Sequence, residues 1–511
     1  MSFVMRPLFL SLFWLGATLA ADPRPNVLII QTDEHNFRTL GCYRALLPRE
    51  QAFPWGDNVK VDTPHLDALA GRGAICTRFY ATSPVCTPSR AALMTGLYPQ
   101  NTGSISNDLP MLDRMETFAS VLEHEGYRTG YAGKWHLDGD AKPGWAPARK
   151  FGFTDNRHMF NRGHWKKLGE DASGPKVLSV NTRGEPDYGI EGADATSFTT
   201  DYLTDRAIEF VRGARDRPFC YMLSLPDPHG PNTVRAPYDT MFDPAVFKQP
   251  ASAQSKGEKL PSFAQVLQDR FNQRQMALYF GMVKCIDDNV GRLVETLRET
   301  GQLERTILVF TSDHGDMCGE HGRHNKGIPC EGSARVPFLI AAPGLIPPGT
   351  VLHEALGTVD FKPTLLGLLG LKTEVAMQGR DASSLLKNGR APADWKDRTF
   401  VRIGGDSGGA SGWLAIFTRR HKFVVSPTDT PALFDLDTDP FEMKNLFEDP
   451  TRRDLIRELA VQLQSYAETT ADPHAANPAI QADLAWATSD STTYTSPPRA
   501  KPRRARGAKE E

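Results

Sequence analysis

A cysteine at position 86 begins a short run whose residue types could do nucleophilic chemistry: Cys86-Thr87-Pro88-Ser89-Arg90. Pro88 is typical of the first turn of a helix, which predicts a thiol just before a helix start, with Arg90 one turn further on. Free backbone N–H groups at a helix start and a guanidinium both favour an anion, and they acidify a nearby thiol. The spacing therefore predicts an anion site beside a reactive cysteine. A structural cysteine beside a capped helix is the alternative for this run taken alone.

Two polar turns follow apolar runs that are typical of buried strands. They are Asp33 and Glu34 after residues 25–31, and Asp313 and His314 after residues 306–311. In open α/β sheets, ligands bind beyond the carboxyl ends of the strands. The four side chains are therefore predicted to converge there and to hold one divalent cation.

The run from Cys86 to Gly96 has the form C-x-P-S-R-x-x-x-x-T-G, which resembles the signature of the formylglycine-dependent sulfatases, a branch of the alkaline-phosphatase superfamily. Five further segments resemble motifs of that family, in the family's order, over about residues 24–470. These are PNVLIIQTDE at 25–34, GYAGKWHL at 130–137, DPHGP at 227–231, TSDHGDMCGEHG at 311–322 with Lys326, and residues 413–447, which end in FDLDTDPFEMKNLF.

The resemblance implies that a maturation enzyme oxidises Cys86 to formylglycine and that Ca²⁺ is the cation, held by Asp33, Glu34, Asp313 and His314. Two positions depart from the commoner pattern, which is Asp-Asp in the first turn and Asp-Asn in the second. Glu34 is longer by a methylene, and His314 offers nitrogen where Ca²⁺ prefers oxygen. Relatives that hydrolyse phosphonate or phosphate esters also carry a histidine at the second place, which leaves the metal and the choice of sulfate over phosphate open.

The same resemblance assigns roles to basic residues. Arg90, Lys134 and Lys326 are expected to offset charge on the sulfuryl oxygens, His229 to protonate the leaving oxygen and His136 to accept a proton from the hydrated aldehyde. Other residues are possible substrate contacts or sugar-stacking aromatics: His321, His324, Asn325, Trp145, His158, His164 and Trp165.

Strand-type and helix-type runs alternate over most of the chain, which predicts an α/β domain with a largely parallel sheet. The family resemblance implies a large mixed, mostly parallel sheet flanked by helices, similar to that of alkaline phosphatase. After about residue 375, short β-type runs and one helix predict a smaller antiparallel α+β subdomain. The end of the chain is rich in Ala, Pro, Ser, Thr and Arg, which is typical of disorder. The predicted units are residues 22–375, 376–475 and a disordered basic tail at 476–511.

Residues 1–21 contain one arginine, an apolar run and then small residues, which is the pattern of a secretory signal peptide. An uncleaved anchor is the alternative, but the run is short for a bilayer span. No later segment is apolar enough to span, so a soluble periplasmic or secreted protein is expected. Seven cysteines leave one over after any pairing, and six would allow 15 disulfide patterns.

The charge distribution argues against a nucleic-acid enzyme. The net charge of −2 divides into +1 on residues 1–21, +4 on residues 499–511 and −7 on the body between them. The sequence thus predicts a sulfatase acting on a sulfated small molecule or glycan. A phosphonate monoester or phosphodiester hydrolase and a glycan-binding pseudoenzyme are the alternatives, and the chemically competent residues at every catalytic position argue against the pseudoenzyme.

Overall fold

Strands and helices alternate along the chain in a computed structural model that describes residues 24–267, 271–404 and 412–500. The strands are β1 (Asn26–Asp33), β2 (Ala74–Cys76), β3 (Phe79–Tyr80), β4 (Arg128–Lys134), β5 (Asp155–Phe160), β6 (Leu168–Asp171), β7 (Gly174–Val177), β8 (Phe219–Pro228), β9 (Thr306–Ser312), β10 (Phe338–Ala341), β11 (Thr350–Leu352), β12 (Leu356–Gly357), β13 (Thr399–Gly404), β14 (Gly412–Phe417), β15 (His421–Val425) and β16 (Ala432–Asp435). The helices are α1 (Gly41–Arg44), α2 (Arg49–Ala52), α3 (Pro64–Arg72), α4 (Cys86–Thr95), α5 (Phe118–His124), α6 (Thr199–Gly213), α7 (Gln273–Glu299), α8 (Glu331–Ala334), α9 (Phe361–Leu369), α10 (Ser383–Asn388), α11 (Arg453–Thr469) and α12 (Pro478–Thr488).

The large sheet has eight strands in the order β11-β2-β10-β9-β1-β8-β4-β5. All neighbours are parallel except β10, which runs antiparallel to both β9 and β2. This is the predicted mixed, mostly parallel sheet. Its central strands β9, β1 and β8 run in the same direction, so their carboxyl ends lie at one edge.

Both faces of the sheet are covered, which explains the continuous apolar run of β1. Val27 and Ile29 belong to the core on one face, whereas Leu28 and Ile30 belong to the core on the other. A strand buried on both sides needs apolar residues at every position rather than at alternate ones. The prediction of a fully covered strand is therefore confirmed.

The small sheet is an antiparallel meander in the order β13-β14-β15-β16. Leu414 and Ile416 on one face of β14 pack in the same core as Leu459 and Leu463 of α11. The predicted antiparallel α+β unit is thus present. The exact limits at residues 375 and 475 stay predictions.

The expected disorder from residue 476 onward is wrong for the part that the structure describes, because α12 packs against α11 through Ile480, Leu484 and Ala487. The Asn477 side chain accepts hydrogen bonds from the first backbone N–H groups of α12. Arg499 then pairs with the Asp483 carboxylate at 2.7 Å, which fixes the chain further on. The helix was not predicted because its few apolar residues, although at helical spacing, lie in a segment whose overall composition is typical of disorder.

Two further expectations from the sequence concern the pairing of the cysteines and the signal segment at the start of the chain. All seven cysteines are free thiols, so none of the 15 pairings is present, and Cys220 and Cys285 are fully buried. Across the three described ranges, no helix is both long and apolar enough to cross a membrane. The predicted signal segment, 1–21, lies outside the described residues.

Candidate active site

Two neighbouring strand ends deliver the acidic turns to one place. β1 and β9 are paired in parallel register with Thr32 opposite Ser312, so Asp33 and Asp313 leave the sheet side by side. Both carboxylates are fully buried. The backbone N–H of Glu34 donates to Asp313 Oδ1 at 3.3 Å, which joins the two turns directly.

Position 86 faces these turns from the start of α4. Cys86 Sγ lies 3.1 Å from His314 Nε2 and 3.8 Å from Asp33 Oδ1. Ligand atoms of Asp33, Cys86, Asp313 and His314 all lie within 4.8 Å of one another. Two carboxylates and an imidazole converging on one point form a donor set for a divalent cation.

Arg90 binds the same carboxylates from behind. Its Nε donates to Asp313 Oδ2 at 2.8 Å and its Nη2 to Asp33 Oδ2 at 3.2 Å, while Nη1 donates to the Lys134 carbonyl at 2.7 Å and to Ser224 Oγ at 2.8 Å. The guanidinium is fully buried by these partners. Arg90 therefore orients the carboxylates of Asp33 and Asp313, whereas the sequence predicted that it acts on substrate oxygens.

Positive charge keeps Asp33 ionised despite its depth. Burial alone would raise the pKa of Asp33, but the neighbouring cations, Lys134 foremost, outweigh burial and hold that pKa well below its usual range. The closest contact is Lys134 Nζ to Asp33 Oδ2 at 2.6 Å. Asp33 can therefore present a carboxylate to a cation at neutral pH.

A stacked pair of histidines lies on the open side of this cluster. His164 and His229 have ring centroids 3.6 Å apart. Lys134 Nζ donates to His164 Nε2 at 2.7 Å, and Lys326 Nζ donates to His229 Nε2 at 2.6 Å. Burial lowers the pKa of both imidazoles well below the usual value. Two neutral rings therefore hold two ammonium groups, the buried Lys134 and the partly exposed Lys326.

Glu34 stands apart from the converging ligands. Its Oε2 lies 3.0 Å from His229 Nε2 and its Oε1 lies 3.4 Å from Lys326 Nζ, yet neither buried oxygen makes a hydrogen bond. Burial raises the pKa of Glu34 to about 8, even though Lys326 lowers it. A buried carboxyl of this kind ionises more readily when further positive charge approaches, which suits a neighbouring divalent cation.

Two family models match this chain and together cover residues 25–469. Residues 25–371 match the family described as Sulfatase, and residues 319–469 match the family described as N-sulphoglucosamine sulphohydrolase, C-terminal. The chain belongs to the sulfatase family. It is therefore a sulfuric ester hydrolase on the alkaline-phosphatase-like fold.

Individual relatives of this sulfatase agree with that placement. An ulvan-active sulfatase of Formosa agariphila is 29% identical over 86% of this chain and 80% of its own length. An N-acetylglucosamine-6-O-sulfatase of Bacteroides thetaiotaomicron is 26% identical over 86% of this chain and 87% of its own. A solved phosphonate monoester hydrolase of Silicibacter pomeroyi shares the fold, with a TM-score of 0.67, 24% identity and coverage of 88% and 96% of the two chains.

The DPHGP turn that carries His229 in this sulfatase is held from inside by a buried ion pair. Lys166 Nζ lies 2.6 Å from Asp227 Oδ1 and 3.2 Å from the His229 carbonyl. Thr200 Oγ1 donates to the other Asp227 oxygen at 2.5 Å. These contacts fix the backbone beside His229, whose own side chain is 11% exposed.

His136 lies two residues beyond the end of β4. Its ring is buried, and Nε2 lies 3.0 Å from Asp108 Oδ1. Thr87 Oγ1 donates to the His136 carbonyl at 2.9 Å, which places His136 beside the start of α4. Asp108 was not found by sequence reasoning, because no motif includes it.

Several sequence expectations about further contacts are corrected by the sulfatase structure. His321 is held by carbonyls of Ala264 and Phe441, each at 2.7 Å, so its nitrogens are taken by the fold rather than by a substrate. His164 was expected to stack on a sugar but stacks on His229. It lies outside the segments that resemble family motifs, so nothing in the sequence indicated its place in the site.

Other candidates from the sequence lie away from the converging ligands. His158 pairs with Glu170, Trp145 stacks edge-on against Phe160, and Trp165 is buried beside Tyr188. These partners belong to the fold. His324 and Asn325 precede Lys326 in the loop, where the Asn325 N–H donates to Asp316 Oδ1 at 3.2 Å, and their roles as substrate contacts stay predictions.

Proposed function

We propose that this sulfatase acts outside the cytoplasm, in the periplasm or after secretion, on sulfate esters of carbohydrates, using formylglycine derived from Cys86 and one divalent cation. The observation that carries the proposal is the convergence of Asp33, Asp313 and His314 on position 86. The ulvan-active and N-acetylglucosamine-6-O-sulfatase relatives support a carbohydrate substrate. The predicted signal segment supports export, and a maturation enzyme is required to oxidise the thiol.

Asp33, Asp313 and His314 would hold the cation, with Glu34 as the fourth candidate. We take the cation to be Ca²⁺, in line with the family resemblance, although His314 adds a nitrogen donor. When bound, the cation supplies Lewis acidity toward the sulfuryl oxygens, and formylglycine supplies the nucleophilic oxygen. The buried Glu34 oxygens that lack hydrogen bonds and the close approach of the other ligand atoms support this assignment.

The protein's own residues then bind and orient the sulfate group. Lys134 and Lys326 present ammonium groups that can offset the charge of its oxygens. Lys326 is 15% exposed and Lys134 is fully buried, so one lysine meets the substrate at the entrance and the other at depth. Arg90 keeps Asp33 and Asp313 in place while this charge accumulates.

His229 is the proposed general acid for the leaving oxygen. Its Nδ1 lies 2.8 Å from the Gly230 carbonyl, which can only accept, so Nδ1 carries the hydrogen of the neutral ring. Nε2 then accepts from Lys326 Nζ. Nε2 is therefore the atom that would take up a proton and give it to the leaving oxygen. A bound sulfate ester brings negative charge to the site and favours the protonated ring.

The alternative is a phosphonate monoester or phosphodiester hydrolase. His314, where the commoner sulfatase pattern has Asn, favours it, and the fold is shared with a phosphonate monoester hydrolase. A sulfate monoester, a phosphonate monoester and a phosphodiester each carry one negative charge at neutral pH. The number of cationic groups alone therefore does not decide between the two substrates.

The proposal is tested on protein made in its native host. Mass spectrometry of the peptide containing residue 86 should show the aldehyde, while the half-exposed Cys42 in the same digest should remain a thiol. A panel of sulfated monosaccharides, sulfated polysaccharides and nitrophenyl phosphonates should then show fastest turnover on a carbohydrate sulfate. Full activity with an unmodified Cys86 contradicts the mechanism, and faster cleavage of phosphonates selects the alternative.

A further inference from the structure

We infer that Asp108 is a positioning residue that fixes the proton of His136 on Nε2 and thereby makes Nδ1 the proton-accepting atom. The inference rests on the proposed function, since it gives His136 a defined task at position 86. It is carried by an aspartate that no family motif contains and by a buried ring nitrogen that has no hydrogen-bond partner among the described residues.

The loop that carries Asp108 is fastened to the start of α4. Asn107 Oδ1 accepts a hydrogen bond from the Thr87 backbone N–H at 3.1 Å. Asp108 follows in the left-handed backbone region, with φ of 65°, which a non-glycine residue adopts only where the surroundings impose it. These two features turn the Asp108 side chain toward the ring of His136.

The Asp108 carboxylate is held at both oxygens. Oδ1 lies 3.0 Å from His136 Nε2, and Oδ2 lies 3.1 Å from Arg162 Nη2. Partial burial would raise the pKa of Asp108, but the hydrogen bond from His136 and the positive charges nearby outweigh it and lower that pKa. Asp108 is therefore an ionised acceptor, and its side chain is 31% exposed.

An ionised carboxylate can only accept hydrogen bonds, so Nε2 of His136 must carry a hydrogen. In the neutral ring the lone pair is then on Nδ1, which is buried and makes no hydrogen bond. The backbone of His136 is fixed as well, because its N–H donates to the Asn161 carbonyl at 2.7 Å and its carbonyl accepts from Thr87 Oγ1. The ring cannot exchange its two nitrogens without breaking the Asp108 contact.

The consequence for the reaction is a directed proton transfer. One proton moves from the oxygen-bearing group proposed at position 86 to His136 Nδ1, and the electron pair of that O–H bond stays on the oxygen. The positive charge that forms on the ring is stabilised through Nε2–H by the Asp108 carboxylate, as in other histidine bases paired with an aspartate. Arg162 limits this effect by sharing the same carboxylate.

The first test measures the tautomer and does not require activity. In ¹⁵N-histidine-labelled protein with unmodified Cys86, long-range ¹H–¹⁵N spectra at a pH where the rings are neutral should show the His136 hydrogen on Nε2. The signal is assigned among the 13 histidines by its loss in His136→Gln. Asp108→Ala should give a mixture of tautomers. A wild-type hydrogen on Nδ1 would overturn the inference.

The second test uses matured enzyme and a matched control. Asp108→Ala and Asp108→Asn should lower kcat by about 10²-fold, with KM changed far less, because a base rather than a binding contact is impaired. Asp113→Asn is the control. Asp113 lies in the same loop as Asp108 and also pairs with an arginine, Arg149, but it has no recorded contact with His136. Thermal unfolding checks that all three variants are folded.

The outcomes separate this inference from the proposed function. A general base contributes far more than about twofold to kcat. If wild-type enzyme hydrolyses sulfate esters and the kcat of Asp108→Ala stays within about twofold of the wild-type value, Asp108 does not position His136 as a base. If wild-type enzyme has no sulfatase activity, the proposed function fails, and the tautomer spectra still decide whether Asp108 fixes the ring.

Discussion

His164 and His229 stack face to face, with ring planes only 5° apart and centroids separated by 3.6 Å. Each ring also accepts a hydrogen bond from a different lysine. The stack therefore couples the deep lysine, Lys134, to the one at the entrance, Lys326. Displacing one ring should therefore shift the positions of both ammonium groups.

The role of His229 as an acid predicts a dependence on the leaving group. His229→Ala should slow hydrolysis of alkyl and sugar sulfates by about 10²–10⁴-fold, because their poorly acidic leaving alcohols need a proton. Nitrophenyl sulfate, with its acidic leaving group, should lose much less. Steady-state kinetics on both substrate types measures the difference. His158→Ala, another half-buried histidine, is the control, and equal losses on both substrates would remove His229 from the acid role.

The cation site predicts a stability change that needs no turnover. Adding Ca²⁺ at about 100 times its dissociation constant should stabilise the folded protein by about 2.7 kcal/mol, because the ion binds the native state only. Chelator should reverse the shift in Tm. Asp313→Asn should abolish the shift, whereas Asp288→Asn, in the separate group with His65 and Asp287, should preserve it. A shift that survives in Asp313→Asn would place the ion elsewhere.

Arg90 predicts a stability defect together with a metal defect. Arg90→Met should destabilise the protein by about 3–5 kcal/mol, because two buried carboxylates lose their shared partner. Ca²⁺ should recover part of this loss, since a cation also offsets the charge of Asp33 and Asp313. Denaturant unfolding with and without Ca²⁺ measures both effects. Arg49→Met removes an exposed ion pair with Asp57 and should change the free energy of unfolding by less than about 1 kcal/mol.

The buried ion pair of Asp472 with Arg402 should stabilise the C-terminal segment in a way that depends on pH. Burial alone would raise the pKa of Asp472, but the hydrogen bond from His474 and the charge of Arg402 outweigh it and set the pKa at about 2. The folded pKa lies below the unfolded value, so the contribution is complete above about pH 4 and is lost as the pH falls toward 2.

Asp472→Asn should therefore cost about 3 kcal/mol near neutral pH, because Arg402 is left buried without its carboxylate. Its difference in Tm from the wild type should shrink as the pH falls from 4 toward 2. Asp490→Asn, at a fully exposed partner of Arg457, should leave Tm nearly unchanged at every pH. A pH-independent defect in Asp472→Asn would show that packing rather than ionisation is responsible.

Much of the site could be predicted because its residues end strands or begin a helix. Asp33 and Asp313 follow long apolar runs, and parallel neighbours bring such ends to one edge. The start of α4 was predicted from Pro88, within two residues of where the structure places it. Local sequence carries these features because chain direction and helix capping are local properties.

The rest depends on how separate loops approach one another. His164 lies outside the family-like motifs, and only the folded chain shows that its ring lies against His229. Asp108 needs a left-handed backbone that nothing in its neighbourhood predicts. Arg90 was predicted to act on substrate oxygens, and only side-chain geometry shows that it binds the carboxylates of Asp33 and Asp313. The order of α12 was missed because its apolar residues are few and their partners lie on α11.

All ten residues of α4 are buried, including Cys86 itself. If Cys86 is the source of formylglycine, as proposed, an oxidising enzyme has to reach a thiol that the folded domain keeps fully buried. The conversion would then have to precede closure of the sheet around this helix. A chain that folded first would keep its thiol, so the timing of folding would limit the fraction of active molecules.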